Sequence, residues 1–441
     1  MLPSAGLHID QAPPLHLPFR FFATAPIFAI LTGCAVLFWG GEVLLTPLLS
    51  VTVATLHLTL LGWLLMSICG AMIQMIPVLA GIPVPWPRGI PWVHALLTIG
   101  VLSLFVGLVW QPWVLPVALG GVGLAVTLFF VLVAVALVKA PAKHPTVNAM
   151  RIALLSLAGT LILGALFLFE YWHGFLDLDR YALVGIHLVW GLLGTMGTLI
   201  VGVSFQVLPM FYMTPEFPSR SANWILIGMG LFLVLFPVAL IWAAPPGLLY
   251  VAALPGVGAI ALYGVEVRRM LQQRKRKLVD ATLRLWIFGF ACAVAALSLL
   301  ALWPVQEDER WRFLFGILYV LGWVMPIIVG MLHKIVPFLV WFHWFSPLAG
   351  LREIPMMDDL SPLRVVNAQV VIVVGTVVAL VVAVFTGWDL AVRLGGVGLI
   401  AVGGVSLYAL WFALRVKPPK MPEVPDFASF FKDMVPPPQN R

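Results

Sequence analysis

The sequence predicts an all-α integral membrane protein of about twelve transmembrane helices, with both termini in the cytoplasm. Of the 441 residues, 62% are hydrophobic and 10% are charged, against roughly 25% charged in an ordinary soluble domain. The apolar residues also fall into separate runs of about 18 or more, each long enough to cross ~30 Å of hydrocarbon. Such runs must be helices, because lipid offers no hydrogen-bond partner to an unpaired backbone.

Glycine, proline and charged residues divide the chain into twelve predicted spans. The first six are residues 21–44, 51–78, 91–110, 113–138, 148–169 and 182–211. The last six are residues 222–243, 246–266, 282–303, 313–341, 365–386 and 390–415. They form one transmembrane domain, residues 21–416. A cytoplasmic segment, residues 1–20, precedes it without a cleavable-signal pattern, and a Pro-rich cytoplasmic tail, residues 417–441, follows it. We expect that tail to be disordered.

The basic residues predict the orientation. With the termini on one side of the membrane, that side holds 21 of the 25 Lys and Arg residues, including the cluster from Arg268 to Lys277. The positive-inside rule makes it the cytoplasmic side of a bacterial-type inner membrane. The net charge of +7 is therefore a topology signal and does not indicate nucleic-acid binding.

A threefold repeat lies on the second, sixth and tenth spans. It reads Gly, seven residues, Gly, three residues, Gln or Lys, two residues, Pro. The three copies are Gly62, Gly70, Gln74 and Pro77; Gly194, Gly202, Gln206 and Pro209; and Gly322, Gly330, Lys334 and Pro337. The repeat predicts three four-helix units, roughly residues 21–138, 148–266 and 282–415, in a pseudo-threefold arrangement.

The repeat carries both structural and functional predictions. Small residues let membrane helices pack closely, and a proline is expected to end each helix near the interface. The polar members, Gln74, Gln206 and Lys334, are expected at one depth near the cytoplasmic side. There they either line a vestibule or bind a haem propionate, and Lys334 can alternatively extend to the lipid headgroups.

Two histidines, His57 and His187, lie at nearly equal depth in the second and sixth spans. They precede the first motif glycine by five and seven residues. An ionisable residue inside a span is costly and suggests function, and neutral imidazole is the commonest metal ligand and binds haem iron. The pair therefore predicts metal or haem ligation, with hydrogen-bonded packing as the alternative. His173, on an outer loop, is either a distal copper-binding residue or part of an interfacial aromatic belt.

The second span, His57-Leu-Thr-Leu-Leu-Gly-Trp-Leu-Leu-Met66 continuing through Gly70-Ala-Met-Ile-Gln74-Met-Ile-Pro77, resembles helix 2 of the haem-copper oxidase subunit I superfamily. The likeness is closest to its nitric oxide reductase branch. That superfamily has twelve helices with pseudo-threefold symmetry, and its ligands lie on helices 2, 6, 7 and 10. The segment Pro18-Phe-Arg20-Phe-Phe, and His187 with Gly194-Thr-Met196-Gly, also resemble the NnrS family, membrane haem proteins tied to nitric oxide stress.

The resemblance implies that His57 is a haem ligand and that His187 matches the helix 6 histidine of the distal metal. The distal copper site is incomplete: Gly191 stands where a tyrosine would follow His187, residues 223–243 contain no histidine pair, and residues 311–321 lack the two haem-binding histidines. Copper binding stays open. No Cys-x-x-Cys-His motif indicates a covalent haem, so the expected cofactor is a b-type haem between His57 and His187.

Three functions compete at this point. The first is a membrane haem protein without the binuclear centre, serving electron transfer, haem handling or nitric oxide resistance. The second is a transporter or channel with its pathway between the histidine and glutamine layers. The third is an accessory subunit of a larger redox complex, whose outer acidic loops contact a redox partner or other membrane subunits.

Overall fold

The computed structural model describes residues 8–140, 144–173, 180–302 and 308–417. Within these ranges twelve helices are long and apolar enough to cross a bilayer, which confirms the predicted number. They are α1 His16–Leu44, α2 Ser50–Ala80, α3 Pro87–Val109, α4 Pro112–Lys139, α5 Pro145–Trp172, α6 Arg180–Tyr212, α7 Ser219–Ile241, α8 Pro246–Gln273, α9 Ala281–Leu300, α10 Glu309–Leu348, α11 Leu363–Thr386 and α12 Asp389–Arg415. The chain is a multi-pass helical membrane protein.

The helices α2, α6 and α10 form the interior of the bundle. In their most apolar stretches 83%, 72% and 72% of the residues are buried, against 17–56% in the other nine helices. The helices that follow them pack in antiparallel pairs, α3 with α4, α7 with α8 and α11 with α12, and α1 packs along α12. The repeat therefore occupies the three most buried helices.

Two helices, α8 and α10, continue seven residues past their predicted C-terminal ends. α8 continues seven residues past the predicted end at residue 266 and ends at Gln273. Glu266 and Arg269 form an ion pair across one turn of this extension, at 3.5 Å, and such pairs support a helix beyond its apolar part. α10 continues to Leu348 through an additional π-helical turn at Trp341–Phe345.

The motif prolines do not end their helices, contrary to the prediction. Pro77, Pro209 and Pro337 all lie inside helical segments, which continue to Ala80, Tyr212 and Val340. Proline removes one backbone N–H and so one intrahelical hydrogen bond. In membrane helices, neighbouring helices and side chains compensate for that loss. Each proline therefore frees one carbonyl group near the end of an interior helix.

Three helices contain a π-helical segment around their first motif glycine. The segments are Leu58–Leu65 in α2, Val189–Gly197 in α6 and Ile317–Val324 in α10. Apart from the second π turn of α10, no other described helix contains one. Such π-helical segments occur frequently at functional sites. The three repeat helices thus share a local distortion that the remaining helices lack.

Each motif glycine faces the helix that precedes it in the chain. An added Cβ would lie 2.2 Å from Phe28 of α1 at Gly62, 2.5 Å from Ser156 of α5 at Gly194, and 2.8 Å from Cys292 of α9 at Gly322. The second glycines of the motif, Gly70, Gly202 and Gly330, face α1, α5 and α9 in the same way. These positions allow close helix approach, and the same packing recurs three times.

Candidate functional site: a histidine pair on α2 and α6

His57 occupies the last α-helical position of α2 before its π-helical segment. Its ring Nδ1 lies 2.8 Å from the carbonyl oxygen of Val53, one turn earlier. A carbonyl only accepts hydrogen bonds, so Nδ1 carries the proton of the neutral ring. Backbone hydrogen bonds of this kind fix the tautomer of metal-ligating histidines. The lone pair of His57 is therefore on Nε2, where it is available to a ligand.

His187 lies two residues before the π-helical segment of α6 and packs against α5. Its ring meets the ring of Phe167 edge to face, with 5.5 Å between centroids. A Cβ added to Gly164 would lie 3.4 Å from its Cε1, so this glycine permits the approach of the imidazole. The Nδ1 atom of His187 is buried and makes no hydrogen bond of ordinary geometry, but the ring interacts with the backbone of Thr160 on α5.

The fold brings the two predicted ligands together. The ring centroids of His57 and His187 are 6.4 Å apart, and the ring planes differ by 33°. The two residues are 130 positions apart in the sequence and belong to different interior helices. Both side chains are only half-buried, so the pair is not sealed inside the helix packing. The arrangement brings two imidazoles, each a possible nitrogen ligand, close together.

Few metal-ligating side chains surround the pair in the described part of the chain. Within the described ranges, no three His, Cys, Asp or Glu side chains form a group that could hold a metal ion. Zinc and copper sites in proteins normally draw three or four ligands from side chains. A haem brings its own four equatorial nitrogens and takes only axial ligands from the protein. The donor set fits a haem better than a bare ion.

The glycines near the pair do not provide clearance for a flat ring. Gly62 and Gly194 face neighbouring helices, as described above. An added Cβ would likewise lie 3.2 Å from Thr160 at Gly191 and 2.7 Å from the Tyr319 hydroxyl at Gly197. Side chains of neighbouring helices therefore occupy the space beside these glycines. Any macrocycle between the histidines therefore depends on the incompletely buried side of the pair.

The three polar residues of the repeat have different surroundings. Gln74 is buried, and its Oε1 has no hydrogen-bond partner. Gln206 is half-buried. The Nζ of Lys334 forms an ion pair with Asp280 Oδ2 at 2.9 Å. Of the three, Gln74 has the unsatisfied polar atom that a bound ligand would explain.

Asp280 is the centre of a polar network that joins α6, α9 and α10. Thr282 donates to its carboxylate at 2.8 Å and in turn accepts from the Tyr212 hydroxyl at 3.0 Å. Burial opposes the charge of Asp280, but hydrogen bonds from the Leu283 N–H, Lys334 and Thr282 outweigh it and hold the pKa of this carboxyl below its usual value. The network fastens the adjoining ends of the three helices.

Two other histidines, His94 and His343, have hydrogen-bond partners. His94 shares a hydrogen bond of 2.8 Å with the Thr24 hydroxyl. The two ring nitrogens of His343 lie 2.9 Å and 3.1 Å from the carbonyl oxygens of Leu339 and Pro13. The side chain of His173 lies outside the described residues, so the structure does not bear on its predicted roles.

Sequence reasoning missed the residues that support the pair. Val53 acts through its backbone carbonyl, which no side-chain pattern reveals, and Phe167 lies in a span without any motif. His333 is buried, and its Nε2 has no hydrogen-bond partner, but the sequence predicted no function for it. Its position next to Lys334, three residues after the motif Gly330, was the available signal.

No protein-family model matches this chain, and no curated protein matches it either.

Proposed function

We propose that the protein is a membrane haem protein in which His57 and His187 are the axial ligands of one b-type haem. The separation of the two imidazoles carries the proposal. A metal–nitrogen bond of roughly 2 Å and about 1 Å from the nitrogen to the ring centre, taken on both sides, give about 6 Å between opposed rings. The observed separation is 6.4 Å.

The residues of the site have distinct roles in this proposal. His57 presents Nε2 because Val53 holds its Nδ1 proton, and His187 is oriented by the edge of Phe167. A haem held by these two histidines would supply a one-electron redox centre, and two nitrogen ligands from the protein would suit electron transfer better than oxygen binding. The unpaired polar atom of Gln74 is an amide oxygen, which accepts hydrogen bonds and cannot pair with an ionised propionate. Gln74 also follows His57 by 17 residues, or roughly 26 Å along the helix, so it has no role in this haem site.

The resemblance to the haem-copper oxidase superfamily and to the NnrS family also supports a haem-binding function. On that basis we propose that the protein serves electron transfer, haem handling or nitric oxide metabolism. We further propose that it lies in a bacterial-type inner membrane and has a redox partner or other membrane subunits. A complete copper-containing reductase is not part of the proposal, since the residues of its distal site are missing from the sequence.

We also infer the pseudo-threefold arrangement with cytoplasmic termini. It is supported by the π-helical segments shared by α2, α6 and α10, and by the repeated contacts of their glycines with α1, α5 and α9. The units are not identical, because α1 packs far more extensively on α12 than α5 does on α4.

An optical spectrum of the purified protein tests the haem proposal. We expect a Soret band, with α and β bands after reduction, in the wild type and in a His94→Ala control. His57→Ala and His187→Ala should each lower haem content or give a high-spin spectrum. Unaltered low-spin spectra in both variants would reject these ligands. A colourless wild type that conducts a solute flux in liposomes would replace the proposal with the transporter function.

A further inference from the structure

Exposed side chains form a stripe along one face of α7. They are Arg220, Trp224, Ile227 and Leu231, and their spacing of three or four residues puts them on one side of the helix. Tryptophan is enriched at the membrane–water interface, and the aliphatic side chains beyond it contact the acyl chains of the lipid. The stripe therefore has a cation at headgroup level next to a membrane-facing apolar surface.

The neighbouring helix α8 has a matching stripe. Its members, at the same spacing, are the exposed residues Leu254, Gly258, Ala261, Val265 and Arg269. A Cβ added to Gly258 would meet nothing within 4 Å, so this glycine leaves open space beside the helix. Because α8 runs antiparallel to α7, Arg269 near its C-terminal end reaches the membrane boundary at which α7 begins.

The two stripes border one groove. At the end that carries the arginines, α7 and α8 meet where Ser221 donates a hydrogen bond of 2.8 Å to the Glu266 carboxylate. With about 3.6 residues per turn, both stripes lie on the same side of this contact. The buried residues Leu226 of α7 and Val267 of α8 lie on the opposite side, toward the rest of the bundle. The two arginines therefore flank the same end of a groove that faces the lipid.

The acidic residue at this end of the groove does not neutralise both arginines. The Glu266 carboxylate is buried, and one of its oxygens lies 3.5 Å from a guanidinium nitrogen of Arg269. The Arg269 side chain nevertheless remains 65% exposed. No described acidic side chain lies within ion-pair distance of Arg220. The groove thus ends in a net positive charge, with guanidinium N–H groups available to a ligand.

We propose that this groove binds a membrane phospholipid with an anionic headgroup. The forked N–H groups of arginine match the oxygens of a phosphate, so the phosphodiester accepts hydrogen bonds from Arg220 and Arg269. Trp224 lies at the interface below the phosphate, and the acyl chains follow the two stripes past Gly258. A soluble phosphate would make no use of these apolar stripes, which is why the ligand is a lipid. The site does not depend on the proposed haem, whose ligands lie on α2 and α6.

Photocrosslinking with lipid probes tests the proposal. The full chain is placed in phosphatidylcholine nanodiscs that contain a small fraction of phosphatidylglycerol with a diazirine on one acyl chain. A parallel sample contains phosphatidylcholine with the same diazirine. Mass spectrometry locates the crosslinks, and the ratio of labelling by the two probes separates headgroup recognition from the general contact of the helices with lipid.

Arg220→Gln and Arg269→Gln each remove one charge from the groove. Arg364→Gln is the matched control in α11. Arg364 is also exposed and is also the second residue of its helix, but Ala368 follows it four residues later, where α7 has Trp224.

We expect phosphatidylglycerol to label residues 220–231 and 258–269 at least about fivefold more than phosphatidylcholine does, since each arginine near the membrane surface favours an anionic lipid by roughly that factor. Arg220→Gln should lower this ratio about fivefold, and Arg364→Gln should leave it unchanged. Arg269→Gln should act like Arg220→Gln. If the loss of its ion pair with Glu266 prevents folding, Arg220→Gln decides. Equal labelling by the two probes in the wild type, or an unchanged ratio in folded Arg220→Gln, would overturn the proposal.

Discussion

Tyr319 on α10 donates a hydrogen bond of 3.0 Å to the backbone carbonyl of Leu192 on α6. Both residues belong to π-helical segments, so the bond joins the distorted parts of two interior helices. Tyr319 is fully buried, and Gly197 leaves the space for its hydroxyl. The segment of α6 that follows His187 is thereby fixed against α10.

Replacing Tyr319 with Phe should destabilise the folded protein by about 1 kcal/mol, because the carbonyl of Leu192 loses its partner in a buried place. Unfolding in mixed micelles by a denaturing detergent measures the change. Tyr408→Phe is the control, since Tyr408 is 46% exposed and its described contacts are with aromatic rings. Equal stability of the two variants would show that the hydroxyl of Tyr319 contributes nothing.

Gly202→Ala should destabilise the protein by roughly 1–3 kcal/mol through overpacking, because the new Cβ would lie 2.0 Å from the Cβ of Ala149 on α5. Gly404→Ala is the matched control in α12, where an added Cβ meets nothing within 4 Å. There alanine should be neutral or stabilising, as a better helix former than glycine. Thermal unfolding followed by circular dichroism distinguishes the two, and an unaffected Gly202→Ala would contradict the packing role of the motif.

The ion pair of Lys334 and Asp280 should make stability depend on pH in the acidic range. The pKa of Asp280 is lower in the folded protein than its ordinary value, so its ionised form stabilises the fold above the unfolded pKa of about 4. That contribution is lost as the pH falls through the lower folded pKa. Unfolding measurements between neutral and strongly acidic pH record this loss.

Lys334→Met should cost about 2 kcal/mol at neutral pH, since it leaves a largely buried carboxylate unpaired. The double variant Lys334→Met with Asp280→Asn should lose less than the sum of the single changes. An additive double variant would indicate that the two groups do not interact energetically.

His187→Met is expected to retain a six-coordinate haem but to raise its reduction potential, because an axial thioether favours the reduced iron relative to a second imidazole. A redox titration followed by absorbance gives the potential. His94→Met is the control and should leave it unchanged. A bound haem whose potential does not respond to His187→Met would exclude His187 as a ligand while leaving haem binding intact.

The inferred orientation places the C-terminus and the basic segment around Lys277 in the cytoplasm and the segment before α10, around Asp308, outside. Green fluorescent protein fused after Arg441 or Lys277 should therefore fluoresce, and alkaline phosphatase should be active only when fused after Asp308. Phosphatase activity at Arg441 would invert the topology.

The sequence by itself determined the class of protein and the number of spans. Lipid cannot hydrogen-bond a backbone, so apolar runs of sufficient length had to become helices, and charge and glycine indicated roughly where they begin and end. The repeat identified α2, α6 and α10 as a set, and counting residues placed His57 and His187 at similar depths, because each residue of a helix advances by about 1.5 Å.

Only the tertiary structure decided which way those residues face. The direction of a side chain around a helix axis depends on every turn before it, and the π-helical segments change that direction without a local sequence rule. The approach of His57 to His187 and the pairing of Lys334 with Asp280 join distant parts of the chain, so helix packing alone decides them. The same holds for Pro337, which lies inside a helix that continues to Val340 although proline removes one intrahelical hydrogen bond.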